Sequence, residues 1–390
     1  MSKVIIGGVG STNYGAFPTI TMRELSLQAV DKALQDANVS VGEIQKIYFG
    51  NAAAGIVSQQ EMVRGQVVFR YHPLAGKPLL NIDNACASGG SSLHLACKAV
   101  EYGELDVALV VGVEKLNHPD RDRAFRALWG STDVGEIGEY PQQKSSNSVL
   151  MEYYAGVARK YLRDYQASPV DYARVAVKNR NNAAFNPIAQ FKKLQTVEEV
   201  LAARIIVEPL TLPMCAPLTD GATAILVCSE AFARQRGMAM IEVKACELAG
   251  SPDKGVSPVI PACEQAYNAS GYAPGDMDVI ELHDAAAPAE IVQYSEIGLC
   301  KEGEGHILLR DGYTEITGKM PVNTSGGLLS RGHALGATGC AQVAELYDQL
   351  CGRAGARQLN NPKLAMAVNG GGWMDDSYIL TVTTILEKIN

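Results

Sequence analysis

The sequence of 390 residues predicts an α/β fold built from two similar halves, with a further segment inserted in the first half. Short apolar runs typical of buried strands alternate along the chain with amphipathic stretches of helical spacing, which favours a layered α/β architecture. In addition, the pattern of residues 29–51 recurs at residues 262–284, and self-similarity of this kind indicates a repeated structural unit.

The elements of the first half are predicted in chain order from their apolar spacing. Strands are expected over residues 4–10, 44–50, 78–83 and 106–112, and helices over residues 22–37 and 91–100. The helix at 22–37 carries Leu25, Val30, Ala33 and Leu34 at helical spacing. The strand at 106–112 reads DVALVVG, an almost continuous apolar run that is typical of a buried strand.

The two copies of the repeat align without a gap at an offset of 233 residues, from residue 29 to residue 262. Each copy reads as a helix, a glycine turn, an acidic residue and a strand. The matched pairs include Ala33 with Ala266, Gly42 with Gly275, Glu43 with Asp276 and Ile47 with Ile280. We therefore expect one half at residues 1–120 and the other at 241–390, with chance similarity between two α/β units as the alternative.

The segment between the halves is more charged and richer in helix formers. Residues 121–205 are predicted as an inserted domain that covers a substrate, and residues 206–240 as the completion of the first half. Four cations of the insertion are candidates for contacts with substrate phosphates, a solvated surface being the alternative: Lys178, Arg180, Lys192 and Lys193.

Composition excludes several classes of function. The net charge is −8 and the chain has no basic stripe, so nucleic-acid binding gains little support. No apolar run reaches the roughly 18–20 residues that a membrane span needs. Residues 3–7 read as a first strand and not as a signal peptide. The nine cysteines include no CxxC pair, which predicts reduced thiols in a cytoplasmic protein and no metal site.

Cys86 lies in the turn Asn84-Ala85-Cys86-Ala87-Ser88-Gly89-Gly90, between a predicted strand and a predicted helix. A cysteine at a helix N-terminus lies at the positive end of the helix dipole, so we expect its pKa to be lowered and its thiolate to be a better nucleophile. A buried structural cysteine is the alternative.

Two histidines and a glycine loop are further candidates for catalysis. His333 lies in the glycine-rich segment RGHALGATG, where it can take a proton from a thiol and return it. His283 ends the strand VIEL and precedes Asp284, and this pair can bind a developing oxyanion or cap a helix. The loop at residues 369–372 reads NGGG, which permits backbone N–H groups to converge on an anion.

Taken together, these motifs resemble those of the thiolase superfamily, nearly from end to end. The cysteine turn, the segment DGATAILVCSEA at 220–231, the block NTSGG…RGHALGATG and the final glycine loop occur in the family order. HDA at residue 283 and AVKNRNNAAFNPIAQF at 176–191 are most similar to the sterol-carrier-protein type and to archaeal thiolases. The resemblance implies two βαβαβαββ halves, a layered α-β-α-β-α core and a loop domain over the coenzyme A site.

The resemblance also implies roles for individual residues. Cys86 attacks the substrate carbonyl and holds the acyl group, and His333 activates Cys86 and faces the thioester oxygen. His283 contributes to one oxyanion hole, and the backbone N–H groups of Cys86 and Gly370 form the other. Coenzyme A is implied as a substrate and not as a permanently bound cofactor, and its contact residues remain unassigned.

The sequence departs from the family at the second catalytic cysteine, which moves the proton on the substrate α-carbon. Its usual positions carry Val368 or Asn369 in the glycine loop and Ala285 after His-Asp. Condensation needs a base at this carbon, whereas cleavage needs only protonation of a leaving enolate. We therefore expect degradative thiolysis of a bulky, branched or aryl 3-oxoacyl-CoA, such as an ester like benzoylsuccinyl-CoA. Candidates for shaping its pocket are Trp129, Tyr140, Met151, Tyr153, Tyr154 and Trp373.

The family packs as dimers or as dimers of dimers, which implies a homodimer or homotetramer. The reduced catalytic set also makes a small partner with an OB fold and a zinc ribbon plausible, as in two-subunit thiolases for aryl substrates. Two other functions stay open at this point. One is a biosynthetic condensing enzyme of the ketosynthase kind, and the other is a non-catalytic acyl-CoA-binding subunit.

Overall fold

The computed structural model describes residues 2–141 and 148–389, so part of the predicted insertion and both terminal residues lie outside the described residues. The strands are β1 (Val4–Ser11), β2 (Lys46–Gly50), β3 (Leu79–Ile82), β4 (Val107–Lys115), β5 (Ile205–Val207), β6 (Leu210–Thr211), β7 (Asp220–Ser229), β8 (Ile241–Gly250), β9 (Val279–Glu281), β10 (Leu364–Gly371) and β11 (Leu380–Lys388). The helices are α1 (Met22–Ala37), α2 (Ala54–Val57), α3 (Arg64–Phe69), α4 (Ser88–Glu101), α5 (Asp122–Trp129), α6 (Val134–Ile137), α7 (Val149–Asp164), α8 (Pro169–Ala184), α9 (Val197–Leu201), α10 (Glu230–Gln235), α11 (Val259–Ser270), α12 (Ala287–Glu296), α13 (Gly305–Arg310) and α14 (Thr338–Cys351).

Nine strands form one sheet in the order β3-β2-β4-β7-β1-β8-β11-β10-β9. The halves meet where β1 and β8 pair antiparallel through Ile5 with Glu242 and Ile6 with Ile241. Outward from this seam, β1, β7, β4 and β2 correspond in order and direction to β8, β11, β10 and β9. The first half ends in β3, whereas its counterpart is reduced to a single parallel bridge between Ile280 and Val322. The predicted two-half fold is therefore confirmed, with one strand shorter than expected.

The two halves of the nine-stranded sheet are the two β layers of the predicted α-β-α-β-α arrangement, and helices form the other three layers. Helices α4 and α14 contact each other and strands of both halves, whereas α1 packs on the first half and α11 on the second. The two central helices approach closely because their crossing is lined by glycines. A Cβ on Gly339 would lie 2.5 Å from the backbone nitrogen of Gly90, and one on Gly89 would lie 2.6 Å from the oxygen of Gly336.

The internal repeat reappears as matched local structure. The 3₁₀ turns Val41–Glu43 and Pro274–Asp276 lie at the same offset, and each leads into an equivalent strand, β2 or β9. In both turns the acidic side chain accepts a hydrogen bond from the backbone N–H three residues earlier, at 2.9 Å for Glu43 and 2.8 Å for Asp276. The acidic residue in the repeat is therefore a capping residue of the turn.

The insertion leaves the sheet after β4 and returns at β7, so it covers residues 116–219. The predicted domain boundaries at 121, 206 and 241 stay predictions, although β5 and β6 already belong to this excursion. Helix α8 crosses from the insertion onto the second half and contacts α12 and α13 there. In the described ranges, none of the helices is both long enough and apolar enough to cross a membrane.

Candidate active site

A cavity of about 350 Å³ lies where the insertion meets the ends of the strands, and it collects the predicted catalytic residues. Cys86, His283 and His333 all line it, as do Gly370 and Gly372 of the final loop. They come from four separate turns, of which the first belongs to the first half and the others to the second. The carboxyl ends of strands in an open α/β sheet are the usual location of such sites.

Cys86 is fixed in a tight turn directly before α4. The Ser88 hydroxyl accepts from the backbone N–H of Asn84 at 2.9 Å and donates to the oxygen of Ala85 at 2.7 Å. Ala85 has a φ of 49°, a left-handed conformation that turns the chain sharply and suits a small residue. The turn leaves the Cys86 side chain 5% exposed at the floor of the cavity.

The expected lowering of the thiol pKa is wrong. Burial raises the pKa of Cys86 to about 12, and the Glu114 carboxylate adds to the rise. The N–H groups of Cys86 and Gly372 act in the opposite direction, but burial outweighs them. The thiol is therefore protonated at rest and needs an adjacent base to become a nucleophile.

His333 is oriented as such a base. Its Nδ1 lies 2.8 Å from Thr338 Oγ1, and the Thr338 hydroxyl itself donates to the oxygen of Ala334 at 3.1 Å. Since this hydroxyl proton is used, Nδ1 carries the imidazole hydrogen and Nε2 keeps its lone pair. Burial lowers the pKa of His333 well below its ordinary value, so the ring is neutral and able to accept a proton.

His283 is held in the opposite tautomer. Asn369 Nδ2 donates to the oxygen of Cys86 at 3.1 Å, which fixes the orientation of the amide, and lies 3.3 Å from His283 Nδ1. Nδ1 is therefore an acceptor, and the hydrogen of His283 is on Nε2. Burial and the charge of Arg331 lower the pKa of His283 to about 3, so the ring is a neutral hydrogen-bond donor.

The sulfur of Cys86 and one ring nitrogen from each histidine lie within 4.8 Å of one another. The imidazole rings stand nearly perpendicular, with centroids 5.1 Å apart. A thiol, a base and a neutral donor thus converge on one point, which is the set needed for covalent acyl transfer. Among the described residues these three are also the only cluster with metal-ligand spacing. The predicted absence of a metal stays a prediction.

The glycine loop contributes differently from the sequence-based expectation. Gly370 lies within β10, opposite Thr381, and its role as an oxyanion donor stays a prediction. The N–H that points to the Cys86 sulfur belongs to Gly372, whose φ of 65° favours glycine. A Cβ on Gly370 would lie 2.8 Å from the ring of Tyr378, so this glycine makes room for the aromatic side chain.

The two candidate cations of α8 contact the loop that carries His333. Lys178 is buried, forms an ion pair with Glu290 at 2.8 Å and donates to the oxygen of Val322, so the phosphate hypothesis is wrong for this residue. Arg180 donates through Nε to Ser330 Oγ at 3.0 Å, and its guanidinium lies over the ring of Phe191. For Arg180 and for the exposed Lys192 and Lys193, a contact with substrate phosphates stays a prediction.

Further hydrogen bonds join the same loop to α8 and to the segments that follow α8 and β9. Asn182 and Asn186 donate to the backbone oxygens of Asn323 and Ser325, at 3.0 and 2.8 Å. Asp284 accepts from the backbone N–H groups of Leu328 and Leu329, so it caps this loop and is not part of the cavity wall. Only the histidine of the His-Asp pair is available to a substrate.

The wall of the cavity is mainly apolar and aromatic. Of the predicted pocket residues, Met151, Tyr154 and Trp373 line it. Tyr153 stacks on Trp373 outside it, and Trp129 packs against Tyr140. Sequence reasoning missed three aromatic residues of the wall, because no local pattern marks them: Phe125, Phe191 and Tyr378. Ala285 also lines the cavity, whereas Val368 is fully buried.

Two family models match the chain. The one described as thiolase, N-terminal domain, covers residues 4–231, and the one described as thiolase C-terminal domain-like covers residues 241–388. The acetyl-CoA acetyltransferase of Methanothermobacter thermautotrophicus is 32% identical over 380 residues, which are 95% of this chain and 97% of that protein. The benzoylsuccinyl-CoA thiolase subunit BbsB of Thauera aromatica is 35% identical over 387 residues, 95% of each chain.

A similar fold occurs among solved structures. The structure titled Ltp2-ChsH2(DUF35) aldolase superposes with a TM-score of 0.79 at 23% sequence identity. The superposition covers 99% of this chain and 98% of the other. At this identity the likeness bears on the fold alone, and it agrees with the two-half architecture described above.

Proposed function

Because the chain belongs to the thiolase family of acyltransferases, we propose that it cleaves a bulky, branched or aryl 3-oxoacyl-CoA with coenzyme A. The observation that carries this proposal is the convergence of Cys86, His333 and His283 within 4.8 Å in a cavity with an apolar wall. The reaction is degradative and passes through an acyl group on Cys86. Coenzyme A acts as a substrate and is not permanently bound.

In the proposed first half-reaction, His333 Nε2 takes the proton of the Cys86 thiol. The thiolate then adds to the 3-oxo carbonyl, and N–H groups of the turn and the glycine loop stabilise the resulting oxyanion. The C2–C3 bond breaks, its electron pair stays on C2, and Nε2–H of His283 donates to the thioester oxygen of the enolate. In the second half-reaction the sulfur of coenzyme A takes the acyl group from Cys86, and His333 returns its proton to the released Cys86 sulfur. Over the whole cycle, the proton that the thiol of coenzyme A loses replaces the proton that C2 of the enolate takes up.

The wall of the cavity supports the proposed substrate class. Phe125, Leu128, Met151, Tyr154 and Trp373 present apolar and aromatic surface to the space beside Cys86. Ala285 and Val368 leave no cysteine at the positions where the family carries its second catalytic cysteine, which favours cleavage over condensation. The relative BbsB is named for benzoylsuccinyl-CoA, and its 35% identity agrees with an aryl-substituted substrate without fixing which one.

The test is thiolysis of a panel of acetoacetyl-CoA, benzoylacetyl-CoA and benzoylsuccinyl-CoA by the purified protein and its Cys86→Ala variant. We expect CoA-dependent cleavage with preference for an aryl substrate, and mass spectrometry should find the acyl group on Cys86. Cys215→Ala is the matched control, because Cys215 lines the same cavity and burial raises its pKa to about 12 as well. Robust synthesis of acetoacetyl-CoA would favour the condensing enzyme, and binding without turnover would favour the non-catalytic subunit.

We also infer a homodimer or homotetramer, and a small partner with an OB fold and a zinc ribbon. The edge strand β3 and the segment before α3 expose Leu80, Met62 and Val63, which supports association between copies. The name of BbsB includes the word subunit, and the neighbouring structure is titled with a DUF35 component. Light scattering of the purified chain tests the first inference. Coexpression with such an OB-fold protein, followed by size exclusion and thiolysis, tests the second.

A further inference from the structure

Two tyrosine hydroxyls lie in the wall of the catalytic cavity and have no part in the steps above. Tyr154 on α7 and Tyr378 before β11 both line the cavity and are 3% and 6% exposed. The hydroxyl of Tyr154 donates to that of Tyr378 at 3.3 Å, and the hydroxyl of Tyr378 donates to the backbone oxygen of His283 at 3.2 Å. The two phenols thus form a short chain that ends at a catalytic residue.

Tyr378 lies beside the place where the second cysteine is missing. Its hydroxyl is bound to the backbone of His283, two residues before Ala285, and Gln293 Nε2 contacts both that hydroxyl, at 3.4 Å, and the His283 oxygen, at 2.9 Å. The ring of Tyr378 packs edge-on against the imidazole of His283, with centroids 5.4 Å apart. The space for this ring exists because residue 370 is a glycine.

Tyr378 is distinguished from the other polar groups of the cavity wall by its bond to His283. His283 itself is neutral because burial lowers its pKa, and the proton that His333 takes from Cys86 returns to Cys86 in the second half-reaction. Other polar side chains also line the cavity, but their hydrogen bonds in the described structure go to groups outside the catalytic set: Cys215, Ser148, Asn117 and Gln190. Arginines do not release protons at working pH. Among the described residues of the wall, the tyrosine pair is therefore the acid joined by hydrogen bonds to a catalytic residue.

We propose that Tyr378, with Tyr154 hydrogen-bonded to it, donates the proton that C2 of the substrate takes up when the C2–C3 bond breaks. This inference rests on the proposed thiolytic cleavage. The electron pair of the C2–C3 bond takes the hydroxyl proton of Tyr378, which leaves a tyrosinate and the shortened acyl-CoA. The tyrosinate then takes the thiol proton of the incoming coenzyme A, whose sulfur attacks acyl-Cys86, so every proton is returned.

Burial supports a role as an acid and opposes a role as a base. It raises the pKa of both tyrosines above the ordinary value, and the nearby sulfur of Cys86 adds to the rise. Both hydroxyls are therefore protonated at neutral pH and able to protonate an enolate carbon, which is far more basic than a phenolate. A tyrosinate ready to deprotonate acetyl-CoA is correspondingly rare, which is consistent with cleavage as the working direction.

The experiment compares two reactions in the same variants. Cleavage of benzoylacetyl-CoA requires protonation of C2, whereas transfer of benzoyl from benzoyl-CoA to dephospho-CoA uses acyl-Cys86 without it. In Tyr378→Phe we expect kcat for cleavage to fall by about 100-fold or more, the usual contribution of a positioned acid, while benzoyl transfer stays within about threefold. In Tyr154→Phe we expect kcat for cleavage to fall by a smaller factor than in Tyr378→Phe. Tyr267→Phe is the matched control, because its hydroxyl donates to the oxygen of Ile297, and Tyr267 is not part of the cavity wall.

The outcomes separate this inference from the proposed function. If the unmodified protein neither cleaves benzoylacetyl-CoA nor carries an acyl group on Cys86, the proposed function is wrong and the inference is wrong with it. If the unmodified protein cleaves the substrate and Tyr378→Phe does so within about fivefold, the inference alone is overturned. Equal losses in cleavage and in benzoyl transfer also overturn it, because they show that Tyr378 only positions His283.

Discussion

The side-chain amide of Asn369 controls which nitrogen of His283 carries hydrogen, and changing it to a carboxylate should reverse this. Asn369 donates through Nδ2 to His283 Nδ1 and to the oxygen of Cys86. In Asn369→Asp the side chain only accepts, so the hydrogen of His283 moves to Nδ1 and Nε2 loses its donor. Removing one donor of an oxyanion hole typically costs about 10²–10³ in rate, or about 2.7–4 kcal/mol of transition-state stabilisation.

The assay is a double-mutant cycle in which kcat/KM for thiolysis is measured for Asn369→Asp, for His283→Asn and for the double variant. The asparagine in His283→Asn always donates through its amide nitrogen, so its donor does not depend on a tautomer. We expect Asn369→Asp to cost about 10²–10³ with His283 present and much less in the His283→Asn background. Urea unfolding of all four proteins measures how much stability is lost when a carboxylate is placed at a position that is 2% exposed, and so separates that loss from the loss in kcat/KM. Equal losses in both backgrounds would refute the reasoning, because the effect would then not pass through the imidazole.

The other predictions concern stability and thiol chemistry. Lys178→Met leaves a buried carboxylate without its partner and should lower the unfolding free energy by about 3–5 kcal/mol in urea titrations, whereas exposed Lys192→Met should change it by less than about 0.5 kcal/mol; similar values for both would contradict a structural role for the pair. Cys86 should react with iodoacetamide faster than Cys215, because of these two cysteines only Cys86 has a base beside it. Burial raises the pKa of both thiols to about 12, so burial alone predicts no difference between them. Equal rates would therefore contradict the assignment of Cys86 as an activated nucleophile. Burial raises the pKa of Glu114 from 4.5 to about 7, so between these values the folded protein keeps a proton that the unfolded chain has released. The contribution of Glu114 to the free energy of unfolding should therefore fall as pH rises through this window. Glu114→Gln should reduce the slope of the unfolding free energy against pH, measured by urea titrations at several pH values. An unchanged slope would show that this carboxylate is not the source of the pH dependence.

The sequence was sufficient for the architecture because periodicity and the repeat are local signals. The capped turns at Glu43 and Asp276 and the strands after them were visible as a pattern at constant offset. The sequence did not show that the counterpart of β3 in the second half is reduced to a single bridge at Val322. A bridge and a full strand have the same apolar appearance in sequence.

The site was predictable only where a motif carries the residue. Cys86 and His283 lie in small-residue turns after strands, His333 lies in a glycine-rich loop before α14, and the structure brings the three together. The direction of the Cys86 pKa could not be predicted, because the helix dipole is a local effect whereas burial depends on the whole fold. Tyr378 was missed for a related reason, since its contact with His283 joins residues that are 95 positions apart in the chain. The glycine loop was predicted, but which of its N–H groups points to Cys86 was not, because residues 372 and 86 are brought together only by the whole fold.

The seam between β1 and β8 has a consequence for when the thiol becomes reactive. The nucleophile belongs to the first half of the chain, whereas its base, the neutral donor and the Gly372 N–H all belong to the second. A nascent chain that has folded only its first half therefore holds Cys86 without the histidines that act on its thiol. Docking of the two halves therefore assembles the site for acyl transfer. A chain cut between β7 and β8 should recover acyl transfer only when both pieces are refolded together.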